Sequence, residues 1–121
     1  MGGVHLNPAT SIKLNSDFRR IYAKGKSAAG PYVVVYCRRN RLQTNRSGYT
    51  VSKKIGNAVQ RNRIRRKLRE IVRLNSGRIL TGYDLILVAR TRALDADYRK
   101  LEADVLSCCE RLHLLKKDVI T

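Results

Sequence analysis

An α+β domain is the fold this sequence predicts. Three stretches carry apolar residues at helical spacing, two short runs are rich in β-branched and aromatic residues, and a third run is almost wholly apolar. Its 121 residues amount to one domain, and at 43% apolar the chain can bury a core despite its charge. In order the elements read α-β-β-α-β-α, a sheet packed on helices as a sandwich.

Residues 1–12 lack periodicity and are expected to form an N-terminal arm, with residues 13–121 as the single domain. Asn15 or Ser16 can cap a short first helix that Gly25 ends. Phe18, Ile21 and Tyr22 fall at i, i+3 and i+4 and so share one face. Residues 32–38 favour a strand, with Tyr32, Val34 and Tyr36 on one face and Val33, Val35 and Cys37 on the other. A basic turn follows, then a strand over residues 48–52, so a hairpin is expected.

A long helix is expected over residues 58–74, with Ile64, Leu68, Ile71 and Val72 as its apolar stripe. Its other side carries Arg63, Arg65, Arg66, Arg69 and Arg73. Arg61 falls at the edge of the stripe, which implies either a bridge to the sheet or a later helix start. Residues 75–82 read as a loop. Residues 84–90 suit a central strand buried on both faces. Asp95 or Asp97 can cap a last helix reaching to about residue 115, with Tyr98, Leu101, Val105, Cys108 and Leu112 along one seam.

Charge points to the partner. The net charge is +17, and all of the excess lies in residues 1–83, where Asp17 and Glu70 are the only acids. A surface built merely for solubility mixes its signs. This distribution reads as an electrostatic footprint for a polyanion. Nucleic acid is the leading partner, ahead of an anionic membrane surface, whose inserting helix would need a free apolar face. No run of apolar residues is long enough to span a bilayer, and no signal peptide is evident, so the expected location is the cytoplasm. Cys37, Cys108 and Cys109 lack disulfide or zinc spacing and read as free thiols.

Residues 53–73 hold nine basic residues and one acid. Arginine suits phosphate because its planar guanidinium can bond two oxygens at once. Gly56 and Asn57 precede the helix, where backbone N–H groups can receive a phosphate oxygen. Phe18, Tyr22, Tyr32 and Tyr36 cluster early in the chain, and single-stranded RNA is held by aromatic stacking beside a basic track. A nuclease of its own is not expected: two-metal cleavage needs clustered carboxylates, and His5 and His113 do not form an acid–base pair. No catalytic residue and no metal ligand is therefore assigned.

The string V-S-K-K-I-G-N-A-V-Q-R-N-R-I-R-R-K-L-R, centred on Arg61-Asn62-Arg63, resembles the signature of the bacterial ribonuclease P protein component. N-S-D-F-R-R-I-Y-A-K-G is similar to that family's first helix, and G-Y-D-L-I-L-V-A-R to its last strand. The resemblance runs from near Lys13 to Leu114. It implies a two-layer sandwich of a four-stranded sheet with three helices, like the second domain of ribosomal protein S5, with a left-handed β-α-β crossover. The extra strand would come from residues 26–37 and 47–52, with a break at residues 28–31.

The resemblance also implies a role in removing the 5′ leader of precursor tRNA, as a subunit of an endonuclease whose chemistry belongs to a catalytic RNA. Magnesium would be held by that RNA, and this chain would bind no cofactor of its own. The expected partners are the ribonuclease P RNA and precursor tRNA, with no membrane and no obligate protein partner. Carried over, the RNA-subunit contacts are Lys53, Lys54, Asn57, Arg61, Asn62, Arg63, Arg65, Arg66 and Arg69, and the leader contacts are Phe18, Tyr22 and Tyr36. The family often has Phe where this chain has Tyr22. The alternative is a generic basic RNA-binding or ribosome-associated protein, which shares the footprint but not the ordered motif.

Overall fold

The computed structural model describes residues 15–117; the expected N-terminal arm lies outside them. Helix α1 (Asn15–Lys24) is followed by strands β1 (Lys26–Ala29), β2 (Val33–Arg39) and β3 (Arg46–Thr50), helix α2 (Ala58–Leu74), strand β4 (Tyr83–Ala89) and helix α3 (Tyr98–Arg111). The strands form one sheet in the order β1-β2-β4-β3. β1 and β2 make the antiparallel hairpin, β2 pairs antiparallel with β4, and β4 pairs parallel with β3.

This corrects the expected hairpin between the second and third strands: β4 lies between them, and β3 reaches its neighbour through the α2 crossover. A parallel neighbour needs a crossover of a dozen or more residues, and α2 supplies it. β1 carries no hydrophobic signal, being Lys-Ser-Ala-Ala, yet it pairs along its whole length with β2. Gly25 ends α1 through its N–H to the Ile21 carbonyl (2.8 Å). A β-carbon at Gly25 would lie 2.5 Å from the Ile21 and Cys37 carbonyl oxygens, so the glycine lets α1 turn tightly into β1.

β4 is central and buried, as its composition predicts. One face of the sheet, with Val33, Val35, Cys37, Leu85 and Leu87, packs on Ile64, Leu68 and Ile71 of α2 and on Leu101, Val105 and Cys108 of α3. The opposite face buries Ile86 against Ile21 of α1, with Phe18, Tyr36 and Val88 around them. Tyr32 departs from the expected alternation: it precedes β2, packs with the larger cluster, and holds the Arg92 guanidinium 5.4 Å from its ring centre. Its N–H and that of Val33 both donate to Oδ2 of buried Asp104, each at 2.9 Å.

Asp97, not Asp95, caps α3, accepting from the Lys100 N–H at 2.9 Å. The helix ends at Arg111 rather than near residue 115, because His113 turns the chain with a φ of 59°. The leucines beyond it still serve the core: Leu114 is buried, and Leu115 bridges to Ile79. All three cysteines are free and buried.

Candidate nucleic-acid interface

The expected aromatic row assembles on the α1 face of the sheet. Tyr22 meets Tyr36 edge-on, with ring centres 4.8 Å apart, and lies 6.4 Å from Phe18. Tyr22 is 39% exposed, while Phe18 and Tyr36 are half-buried on Ile21 and Ile86. The Tyr22 hydroxyl reaches the Thr50 hydroxyl at 3.5 Å, tying α1 to β3. Ring faces and hydroxyls on one shallow surface suit stacked bases with a wet edge.

α2 presents the arginines on the other side of the sheet. Its start is fixed by a reciprocal cap: Asn57 Oδ1 accepts from the Gln60 N–H, and Gln60 Oε1 accepts from the Asn57 N–H, both at 2.9 Å. Such a cap contributes about 1 kcal/mol. It also corrects one expectation, because the Asn57 N–H already has a partner and is not open to a phosphate. Arg61 neither bridges to the sheet nor marks a later start. Its Nε donates to the Gly56 carbonyl at 3.2 Å, which braces the loop ahead of the helix.

Lys53, Lys54, Asn62, Arg63, Arg66 and Arg69 are exposed, and Arg65 is half-buried, donating to Asn62 Oδ1 at 2.7 Å. Arg73 is engaged differently: it forms a two-pronged pair with Glu70 at 3.0 and 2.6 Å. The hydrogen bonds from Arg73 hold the Glu70 carboxyl below its ordinary range. The expected RNA contacts thus occupy two faces, the aromatics beside α1 and the arginines along α2.

Two features were not legible in the sequence. Arg46 donates to both oxygens of buried Asp84, at 2.8 and 2.5 Å, and also reaches Asp17 at 3.5 Å. The hydrogen bonds to Asp84 raise the Arg46 pKa. This basic residue therefore serves to lock α1, β3 and β4 together. Second, the Arg69 guanidinium lies 5.5 Å from the ring centre of Tyr49 on β3, within cation–π range. The packing of α2 back on β3 brings those two side chains together, so no local pattern could have found them. Among the described residues, no group of three or more His, Cys, Asp or Glu side chains is placed to hold a metal ion. No helix among them is long and apolar enough to cross a membrane.

The fold and its two surfaces define a class: a small, strongly basic α+β protein built to hold nucleic acid. Comparison with known proteins narrows it. The Ribonuclease P family profile matches residues 6–113. The ribonuclease P protein component of Natranaerobius thermophilus is 43% identical over 115 residues, covering 95% of this chain and all of the relative. The Staphylococcus aureus RNase P protein superposes with a TM-score of 0.82 at 38% identity, covering 89% of this chain and 99% of that one. The Thermotoga maritima RNase P protein gives 0.75 at 33% identity, covering 80% and 92%. The chain belongs to the ribonuclease P protein family, whose role is maturation of the tRNA 5′ end.

Proposed function

We propose that the chain works by holding two RNAs at once: the catalytic RNA of ribonuclease P along α2 and its preceding loop, and the single-stranded 5′ leader of precursor tRNA across the aromatic row. The observation that carries this is the two-sided layout. Phe18, Tyr22 and Tyr36 form one surface, and the exposed residues Asn62, Arg63, Arg66 and Arg69 form another, across a single sheet. Lys53, Lys54, Asn57, Arg61 and Arg65 complete the second surface, with Arg61 and Asn57 shaping the loop and cap rather than offering every donor outward.

In this reading the chemistry belongs to the RNA subunit, which also holds the magnesium ions. Asp17 and Asp84 are paired with Arg46, and Glu70, the acid on α2, is paired with Arg73. The protein's contribution is electrostatic and positional. A charge of +17 screens the repulsion between substrate and ribozyme, and the aromatic row adds affinity for an unpaired strand. The complex would work in the cytoplasm, where tRNA precursors are made. The test is cleavage of precursor tRNA with and without a bacterial ribonuclease P RNA. The protein should lower the magnesium that the RNA requires and be inactive without it. Cleavage by the purified protein in the absence of RNA would overturn the reading.

A further inference from the structure

A cavity of about 620 Å³ opens at the free edge of β3, the outer strand of the sheet. Its walls come from both sides. Phe18, at the end of the aromatic row, lines it from α1, while Tyr49, Val72 and Arg69 line it from the α2 side. Register explains the geometry: Tyr49 lies opposite Leu87, on the face covered by α2 and α3, and Gly48 lies opposite Ile86, on the α1 face. With no side chain at Gly48, the cavity continues around the strand edge from one face to the other.

We infer that this cavity binds one unpaired nucleotide of the 5′ leader, a nucleotide beyond those stacked on Phe18, Tyr22 and Tyr36. The inference rests on the leader-binding reading above and extends it. Three features favour RNA over a peptide strand added to the β3 edge. The lining contains no acid, and of its two arginines Arg73 is paired with Glu70 while Arg69 is exposed. The Tyr49 ring holds the Arg69 guanidinium at the cavity, so a leader phosphate there would place its base against the apolar side chain of Val72, and Arg69 would then serve the leader rather than the catalytic RNA. The cavity shares Phe18 with the aromatic row, so a strand leaving the row enters it directly. The volume also falls within the ordinary range for small-ligand sites.

Burial raises the Tyr49 hydroxyl pKa, partly offset by its 3.0 Å hydrogen bond to Ser47, so the phenol stays neutral and the ring is held in place. The ring also packs against the core, so a substitution there is read beside its effect on stability.

The experiment uses the holoenzyme with precursor tRNAs carrying 4-thiouridine at successive leader positions. After irradiation, one position should crosslink within residues 47–49 or at Arg69, while a neighbouring position crosslinks to the aromatic row. Crosslinks confined to the row, with none at the β3 edge, would overturn the proposal. In parallel, Tyr49→Leu should weaken binding of a precursor with a long leader by about fivefold or more. It should leave a precursor with a one-nucleotide leader, and mature tRNA, unaffected. Tyr49→Phe should restore the long-leader affinity. Thermal melts of each variant separate lost packing from lost binding. Equal weakening for all three RNAs would mean that Tyr49 serves only the core, and a β3 edge that binds extended peptides but no leader position would likewise sink the idea. If Tyr36→Ala discriminates leader from mature tRNA while Tyr49→Leu does not, this inference fails and the leader-binding reading stands. If neither variant discriminates, the leader-binding reading itself fails.

Discussion

The Tyr22 ring stands edge-on to the Tyr36 ring, with centres 4.8 Å apart and planes at 89°. The first is on a helix and the second on a strand, and the two differ in what they carry. Tyr22 is 39% exposed, whereas Tyr36 is half-buried against Ile21 and Ile86. Tyr22→Ala should weaken leader binding by about 1–3 kcal/mol while lowering the melting temperature less than Tyr36→Ala does. Tyr36→Ala should weaken the leader by a similar amount and also lower stability. Binding titrations with precursor and mature tRNA, paired with thermal melts, check both. Equal loss for the two RNAs would remove these tyrosines from the leader surface.

The arginines of α2 should separate by salt dependence. Each phosphate contact contributes about 0.7–0.9 to the slope of log affinity against log salt. Arg66 is exposed and Arg65 is braced outward on Asn62, so replacing either with Ala should lower the slope by about one contact's share. Arg73 is already paired with Glu70, and Arg73→Ala should leave the slope unchanged. Affinity for the RNA subunit measured across a salt series checks this, and a full unit lost at Arg73 would contradict it.

Much of this architecture was legible because local signals agreed. For α2, the stripe of Ile64, Leu68 and Ile71 gives the same helix over residues 58–74 in sequence and structure. β4 announces itself by an unbroken apolar run, since it is buried on both faces. What stayed hidden was set by distant partners. β1 is Lys-Ser-Ala-Ala, so its own pattern gives no strand; the family resemblance places one within residues 26–37, and pairing with β2 makes it. The expected hairpin failed because nearness in sequence favours pairing neighbours, whereas β4 displaces β3 from β2. The seam that includes Leu112 extends the expected last helix to about residue 115, whereas Leu112 caps it and the turn at His113 brings Leu114 and Leu115 to the core outside the helix. At the candidate site, residue type and spacing pick out Phe18, Tyr22, Tyr32 and Tyr36, the resemblance narrows them to Phe18, Tyr22 and Tyr36, and these three do lie together. Tyr49 under Arg69 was not legible, because that contact spans the crossover.

Asp104 should be a stability determinant rather than an RNA contact. Its carboxylate is buried and accepts from two consecutive N–H groups, those of Tyr32 and Val33, where the chain enters β2. Asp104→Ala leaves both donors without this partner and should cost about 1–3 kcal/mol per stranded group. Asp104→Asn keeps an accepting oxygen and should cost less. Denaturant unfolding of the three proteins gives the order. An Ala variant as stable as the parent would show that water replaces the carboxylate without penalty.

Cys109 supplies the prediction for high pH. Burial is the main cause that raises its thiol from an ordinary value of 9.0 to about 12, with the neighbouring Cys108 and Cys37 adding to the shift. The folded protein therefore keeps a proton that the unfolded chain releases near pH 9. The resulting stability is fully present below that pH and is lost as the pH rises towards 12. Cys108 and Cys37 shift in the same direction, again chiefly through burial. Two measurements follow. Iodoacetamide at pH 8 should leave the native thiols unmodified while labelling the unfolded chain readily, because the thiolate is the nucleophile. Cys109→Ala should also flatten the fall in stability between pH 9 and 11 relative to the parent. Rapid native labelling of Cys109, or an unchanged pH profile in the variant, would show that the thiol is less enclosed than its place between the sheet and α3 requires.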